Sequence, residues 1–364
     1  MINSEKGEFD PMTDIYSKLR ERLDEIATGY PATESGVEIR ILKQLFNEEE
    51  AEFFLQMSPL VETPDAVAER TGRDVEKLKV LMESMAKKGL LFRLRKNDLL
   101  RYAAIPYVVG IFEFQLKTMG EEFARDNLEY FDDAFGPTIQ SSDTPVMRTI
   151  PIQRRIVADW PVAPYEDALE IIENQKTIAI ADCVCRTMTR KAGQGCEKPL
   201  EACFVFGSHA DYYVENKMAR YINTEEAKEI IINNEKAGLV IQPFNARNVG
   251  GMCSCCGCCC GVLKSLKKQP SPAAAVKSNY FARVDDDECI GCETCLERCQ
   301  MDAIDMVDDI ATIDLDRCIG CGLCVTTCPT EAMSLIKKSE DHLYTPPKSG
   351  FETYINIARE RGKI

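Results

Sequence analysis

The sequence predicts a multidomain α+β protein, and three observations carry that prediction. The N-terminal third reads helix, helix, turn, helix and hairpin. The middle third alternates short apolar strands with a well-capped helix, and the C-terminal quarter holds a cysteine run that recurs 29 residues later. At 364 residues the chain is long enough for two or three domains, each able to bury a core.

Residues 1–35 are expected to form a polar leader, helical around Ile15 to Ile26. A compact unit follows over 36–104. Glu38 to Phe46 and Glu48 to Met57 carry Ile39, Leu42, Phe46, Phe53 and Phe54 at helical spacing. Pro59 breaks that pattern, and Thr63-Pro64 supplies a cap and first turn for a helix through Arg70. After Thr71-Gly72 a longer helix spans Val75 to Lys88 and stops at Gly89. Leu90 to Arg95 and Leu99 to Ala104 then flank Lys96-Asn97-Asp98 as a hairpin. This order resembles a winged helix-turn-helix domain, whose common use is DNA binding. The unit holds 12 acidic and 12 basic residues, and only the hairpin, with Arg93, Arg95, Lys96 and Arg101, is distinctly basic. That balance favours protein docking or packing over nucleic acid.

Residues 105–175 read as a connector that wraps onto its neighbours. It has helical stretches at Phe112 to Leu116 and Glu121 to Phe131, punctuated by Pro137, Pro145, Pro151, Pro161 and Pro164. Residues 176–265 read as a small α/β cysteine-rich domain. Its strands are expected at Thr177 to Ala181, Cys203 to Phe206 and Leu239 to Phe244. Asn223 and Glu226 have capping-box spacing for a helix from Thr224 to Lys236, closed by Gly238. A linker is expected over 266–280, a second cysteine-rich module over 281–338 and a helical tail over 339–364.

Eighteen cysteines against two histidines are the compositional outlier. A secreted disulfide framework is a poor fit. MINSEKGEFD has no apolar signal core, no cysteine precedes Cys183, and several cysteines are adjacent or one residue apart. Metal–thiolate chemistry in a reducing cytoplasm is the expectation. No segment reaches the roughly 18 apolar residues of a membrane span. A net charge of −15 opposes free nucleic-acid binding and suits docking on a basic partner.

The strongest signal is Cys289-x2-Cys292-x2-Cys295-x3-Cys299, repeated as Cys318-x2-Cys321-x2-Cys324-x3-Cys328-Pro329. Two-residue spacers let three thiolates converge on one cubane, and the fourth cysteine of each run opens a helix and serves the other cluster. That crossing assigns Cys289, Cys292, Cys295 and Cys328 to one [4Fe–4S] cluster, and Cys318, Cys321, Cys324 and Cys299 to a second. Gly291, Gly320 and Gly322 suit the tight turns. These residues closely resemble bacterial dicluster ferredoxins across nearly all of 283–337. The family usually has proline after both fourth cysteines, whereas Gln300 stands in the first run here. The module from Phe281 to Lys338 has 13 acidic and 5 basic residues, a net of −8 that favours salt-sensitive encounter with a basic redox partner.

Ten more cysteines lie in the middle: Cys183, Cys185, Cys196 and Cys203, then Cys253, Cys255, Cys256, Cys258, Cys259 and Cys260. No common zinc-finger spacing fits them. The first four suit one [4Fe–4S] cluster. The second group has more thiols than a cubane needs, so one or two further clusters are expected, with ligands crossing between groups. Zinc and free regulatory thiols are the alternatives. ADCVCR, GMCSCCGCCCG and the ferredoxin repeat together resemble multi-cluster iron–sulfur proteins of anaerobic bacteria and archaea. There is no GxGxxG, P-loop or nucleophile elbow. The expected function is electron transfer to or from a partner oxidoreductase in anaerobic metabolism, with no catalytic residue of the chain's own. The alternatives are a redox-sensing regulator acting through the winged helix, and a reductase using an open-site central cluster.

Overall fold

A computed structural model describes residues 14–140, 142–152, 156–157 and 162–364. The first 13 residues of the expected leader and Pro161 of the connector lie outside the described residues.

The N-terminal region contains α1 (Ile15–Glu25), α2 (Val37–Leu45), α3 (Glu48–Leu55), α4 (Pro64–Thr71) and α5 (Val75–Lys87). Strands β1 (Phe92–Lys96) and β2 (Leu99–Ala103) follow as an antiparallel hairpin. Polar caps start these helices. Asn47 and Glu50 form a reciprocal capping box, Thr63 accepts from the Ala66 amide ahead of Pro64, and Asp74 accepts from the Lys77 amide. Glu62 bridges Tyr102 as a one-residue third strand. The structure departs from the leader expectation from residue 14 onward, because Leu19 and Leu23 of α1 are buried in the core. Ile15 and Tyr16 pack against the same core, and the seven polar residues of α1 made that short stripe hard to read as core.

The connector is better described as mortar. It carries α6 (Glu121–Tyr130), α7 (Gly136–Ile139), β3 (Ile156–Val157) and α8 (Ala168–Glu173). Its aromatic side chains fill the centre of the molecule. Tyr107 and Tyr130 pack on Tyr30 with ring centroids 4.5 and 4.7 Å apart, and Phe131 packs on Phe112 and Phe135 at 5.0 Å each. This core runs without a break from Leu19 through Phe112 and Tyr130 to Val184, Tyr212 and Ile357. The N-terminal helices, the connector and the middle region therefore share one apolar interior.

The middle region is built on β4 (Ile178–Asp182), β5 (Glu201–Phe206), β6 (Ala219–Ile222), β7 (Val240–Pro243) and β8 (Gly251–Cys255). They form one antiparallel sheet in the order β6-β4-β5-β8-β7. Helices α9 (Val184–Lys191), α10 (Ser208–Glu215) and α11 (Thr224–Lys236) complete it. Strand alternation gives the sheet two unlike faces. Ile178, Ile180, Phe204, Phe206 and Met252 pack with Ile171, Ile172 and Ile231 of α8 and α11. The opposite face carries Ala179, Ala181 and Val205 toward the central core, and with them Cys203.

The expected linker is folded: α12 (Gly261–Lys267) and α13 (Pro272–Ala275) bury Leu263, Leu266 and Val276. The C-terminal module then contains β9 (Tyr280–Val284), α14 (Thr294–Arg298), the hairpin β10 (Ile304–Val307) with β11 (Ile310–Ile313), and β12 (Met333–Lys337). Strand β12 pairs antiparallel with β9 and parallel with β3. Helix α15 (Gly350–Glu360) returns to the core through Ile357, and Arg361 pairs with Asp24 at 2.7 Å.

One buried ion pair fastens the connector to the C-terminal sheet. Lys337 donates to Glu166 at 2.8 Å, and both side chains are under 5% exposed. The carboxylate also accepts from the Ala163 amide and from Asn279. Replacing Glu166 by leucine removes the carboxylate from a buried ammonium. The variant is expected to lose about 3–5 kcal/mol, read as a lower denaturant midpoint. Adding Lys337→Met in the same chain is expected to restore most of that loss.

Candidate metal centres

The C-terminal module brings its eight cysteines into two sets. Cys289, Cys292, Cys295 and Cys328 line one small pocket, together with Val284, Met306, Ala311 and Met333. Cys299 belongs by chain order with the first three. It lies instead within electrostatic reach of Cys318, Cys321 and Cys324. Burial pushes the Cys321 thiol up to about 12, the response of a sulfur in an apolar wall. The Ala282 amide donates to Cys318 Sγ at 3.4 Å and the Ala303 amide to Cys299 Sγ at 3.3 Å. A donor set of thiols alone, with backbone amides aimed at the sulfurs, fits iron–sulfur clusters. One local expectation is corrected: Cys299 closes α14 rather than opening a helix, and Cys328 lies between two turns.

Three glycines hold these loops in the left-handed region, with φ of +65° at Gly291, +64° at Gly320 and +77° at Gly322. Gly320 is the tightest. A Cβ there would stand 2.1 Å from the Tyr280 carbonyl oxygen.

The ten middle cysteines also fall into two sets, but not the two that chain order suggests. Cys203 and Cys253 face each other across β5 and β8, and Cys255 lies two residues along on the same face. Cys203, Cys253, Cys255, Cys260, Cys185 and Cys183 follow one another as electrostatic neighbours. Cys183 and Cys260 occupy the N-cap positions of α9 and α12 without capping through their side chains. The amides of Arg186, Gly261 and Leu263 point at Cys183, Cys185 and Cys260. Hydrogen bonds from Cys185 and Cys255 pull the Cys260 thiol down to about 5.

Cys196, Cys256, Cys258 and Cys259 form the other set, with all four sulfurs within 4.8 Å of one another. Hydrogen bonding by Cys259, and then by Arg186, draws Cys256 down to about 4.

Three neighbours of these sets were not read as functional in the sequence. Arg186 is fully buried between the two middle sets. Its guanidinium donates twice to the Ser254 carbonyl at 3.2 Å and lies 3.7 Å from Cys256 Sγ, while Nε has no hydrogen-bond partner among the described residues. Glu113 stands near Cys203 and Cys253, and burial pushes its carboxyl up to about 8. Gln300 accepts from the Gly257 amide at 2.8 Å, inside the Cys256-Gly257-Cys258 turn. A proline at 300 has no such acceptor. The exception to the family pattern therefore has a structural use.

The C-terminal module is seated on the middle region by two arginines at two helix C-termini. Arg298 donates to the carbonyls of Glu235 and Lys236 at the end of α11, and pairs with the Glu235 carboxylate at 3.1 Å. Arg317 reaches the Lys267 carbonyl at the end of α12 at 3.2 Å. Both place positive charge where the helix dipole is negative.

A protein-family model described as a 4Fe-4S dicluster domain matches residues 282–335. No curated protein and no solved structure matches the chain. The chain thus contains an iron–sulfur domain of the dicluster type, a class whose general chemistry is electron transfer, and a cysteine cluster in its middle region. No helix among the described residues is long and apolar enough to cross a membrane.

Gly320→Ala is expected to lower the melting temperature and reduce the iron bound per chain. The left-handed backbone alone costs roughly 1–2 kcal/mol, and the clash with Tyr280 adds to it. Gly193→Ala, at φ +78° with nothing within 4 Å, is the control and should cost only the backbone part.

Proposed function

We propose that the chain is an iron–sulfur electron-transfer protein or subunit, passing low-potential electrons between a partner oxidoreductase and its own middle region. Cys289, Cys292, Cys295 and Cys328 would hold one [4Fe–4S] cluster, and Cys299, Cys318, Cys321 and Cys324 a second. Cys183, Cys185, Cys203, Cys253, Cys255 and Cys260 would supply the ligands of a further centre. Clusters of this kind, when bound, exchange electrons without bond making in a substrate.

The observation that carries this reading is a shared wall. Cys255 and Cys260 of the middle set belong to one apolar cluster with Leu263, Met301, Ile319 and Leu323. Cys253 packs against that cluster, and so do Cys299, Cys318 and Cys321. Cys299 and Cys318 also border the cluster around Cys295 and Cys324, which reaches Cys289 and Cys328. The three thiol sets therefore follow one another through continuous apolar packing that excludes water. Arg298, Arg317 and Gln300 hold the C-terminal module against the middle region.

The outer end suits a basic partner. Cys292 is exposed beside Ile290, which is 66% exposed, and Asp285, Asp286, Asp287, Glu288, Glu293, Asp308 and Asp309 surround it. Charge there steers encounter, and Ile290 and Val307 offer apolar contact. The basic hairpin is a poor candidate for DNA. Arg93 pairs with Glu83 at 2.9 Å and Glu215 at 2.6 Å, and Arg95 pairs with Glu215 at 3.1 Å. Half of its charge, Arg93 and Arg95, is spent on holding α5 and β1 against α10.

Stopped-flow reduction with reduced methyl viologen tests the order of centres. In Cys321→Ala the outer cluster is expected to reduce as in the parent chain, while the middle centre slows by about tenfold or more for want of its neighbour. Equal rates at the middle centre in both proteins would defeat the proposed route.

A further inference from the structure

The four-cysteine set differs in geometry from every other thiol group in the molecule. Cys196 Sγ lies 3.8 Å from both Cys256 Sγ and Cys259 Sγ, and Cys258 Sγ lies 3.7 Å from Cys259 Sγ. A single tetrahedral ion with metal–sulfur bonds of about 2.3 Å requires sulfurs about 3.8 Å apart. A cubane puts a separate iron beneath each thiolate and so spreads the sulfurs by the width of the cluster. In the ferredoxin runs no three sulfurs lie within 4.8 Å of one another. Among the described residues, no other trio of His, Cys, Asp or Glu ligand atoms is as close as these four sulfurs.

We propose that Cys196, Cys256, Cys258 and Cys259 form a closed, single-ion S4 site for a thiophilic divalent metal, Zn²⁺ above all, that clamps the fold rather than carrying electrons.

The surroundings fit that role. Four thiolates with one divalent ion leave two negative charges, and the buried Arg186 guanidinium stands 3.7 Å from Cys256 Sγ. Arg190 donates to the Cys196 carbonyl at 2.9 and 2.7 Å and to the Lys198 carbonyl at 2.9 Å, which fixes the loop that delivers Cys196. Gly195 brings that loop close, since a Cβ there would lie 3.5 Å from Cys259 Sγ. Four protein ligands leave no open coordination position, the mark of a structural site. Tetrahedral S4 coordination suits Zn²⁺ and also a lone iron ion, and neither brings bridging sulfide. The ion would tie the Cys196 loop to the Cys256–Cys259 turn. Gly257 of that turn holds Gln300, so the clamp would also brace the C-terminal module.

This site is independent of the electron route, and its test reads a different quantity. Full-length protein purified without oxygen is assayed for zinc, iron and acid-labile sulfide, alongside Cys196→Ser, Cys258→Ser and Cys292→Ser. The parent chain is expected to hold about one zinc, or one iron unmatched by sulfide, beyond its cluster iron. Cys196→Ser and Cys258→Ser should lose that ion and keep their sulfide, whereas Cys292→Ser should lose iron and sulfide and keep the ion. Loss of iron and sulfide together from the first two variants would overturn the proposal, as would no metal loss. Should the variants fail to fold, X-ray absorption on the parent chain decides. Four sulfurs at about 2.3 Å with no metal–metal vector support the site. Absence of any such ion, zinc or iron, overturns it. A failed electron route would leave these counts untouched.

Discussion

Ten sulfurs converge in the middle of this molecule, six of them in one linked group against an apolar wall. Held as thiolates they would require cations, because burying each unpaired charge costs several kcal/mol. One guanidinium, Arg186, lies buried between the two groups, and it cannot offset ten charges. The surrounding architecture suits ligands of that kind. The sheet gives one face to apolar packing and the other to Cys203 and Cys253. Two helices begin at Cys183 and Cys260, so their backbone amides meet sulfur.

The second consequence is rigidity. Electron transfer between fixed centres needs fixed separations, and among the described residues the regions pack directly on one another. Tyr30, Tyr107 and Tyr130 lock the N-terminal helices to the connector. Tyr212 locks them to the middle region by donating to the Ala86 and Leu91 carbonyls. Arg298 and Arg317 then seat the C-terminal module on the ends of α11 and α12. The N-terminal unit serves as a buttress in this arrangement, which accounts for its balanced charge and for the inward pairing of Arg93.

The ferredoxin repeat was legible because its ligands follow fixed short spacings within one segment. The crossed assignment of its fourth cysteines is read from the same spacing. The hairpin, the capped helix α11 and strands β4 and β5 could be read from alternation and caps. The division of the middle cysteines could not. Cys196 joins Cys256, Cys258 and Cys259 across a fold of the chain, while Cys203 joins Cys253 through strand register. Strand β8 was missed because glycine and cysteine give no apolar alternation. Gln300 looked like a lapse from a family pattern until its partner Gly257 was in view. The connector misled in the opposite sense, since its prolines masked an aromatic core.

The electron route stands or falls on whether the six linked thiols hold a redox centre beside the second ferredoxin set. Electron paramagnetic resonance of the full chain during stepwise reduction, with sulfide counted on the same sample, addresses this directly. The account predicts more sulfide than two cubanes contain and a third reducible centre whose signal is split by its ferredoxin neighbour. Sulfide for two cubanes only, with two signals and no third, would contradict it.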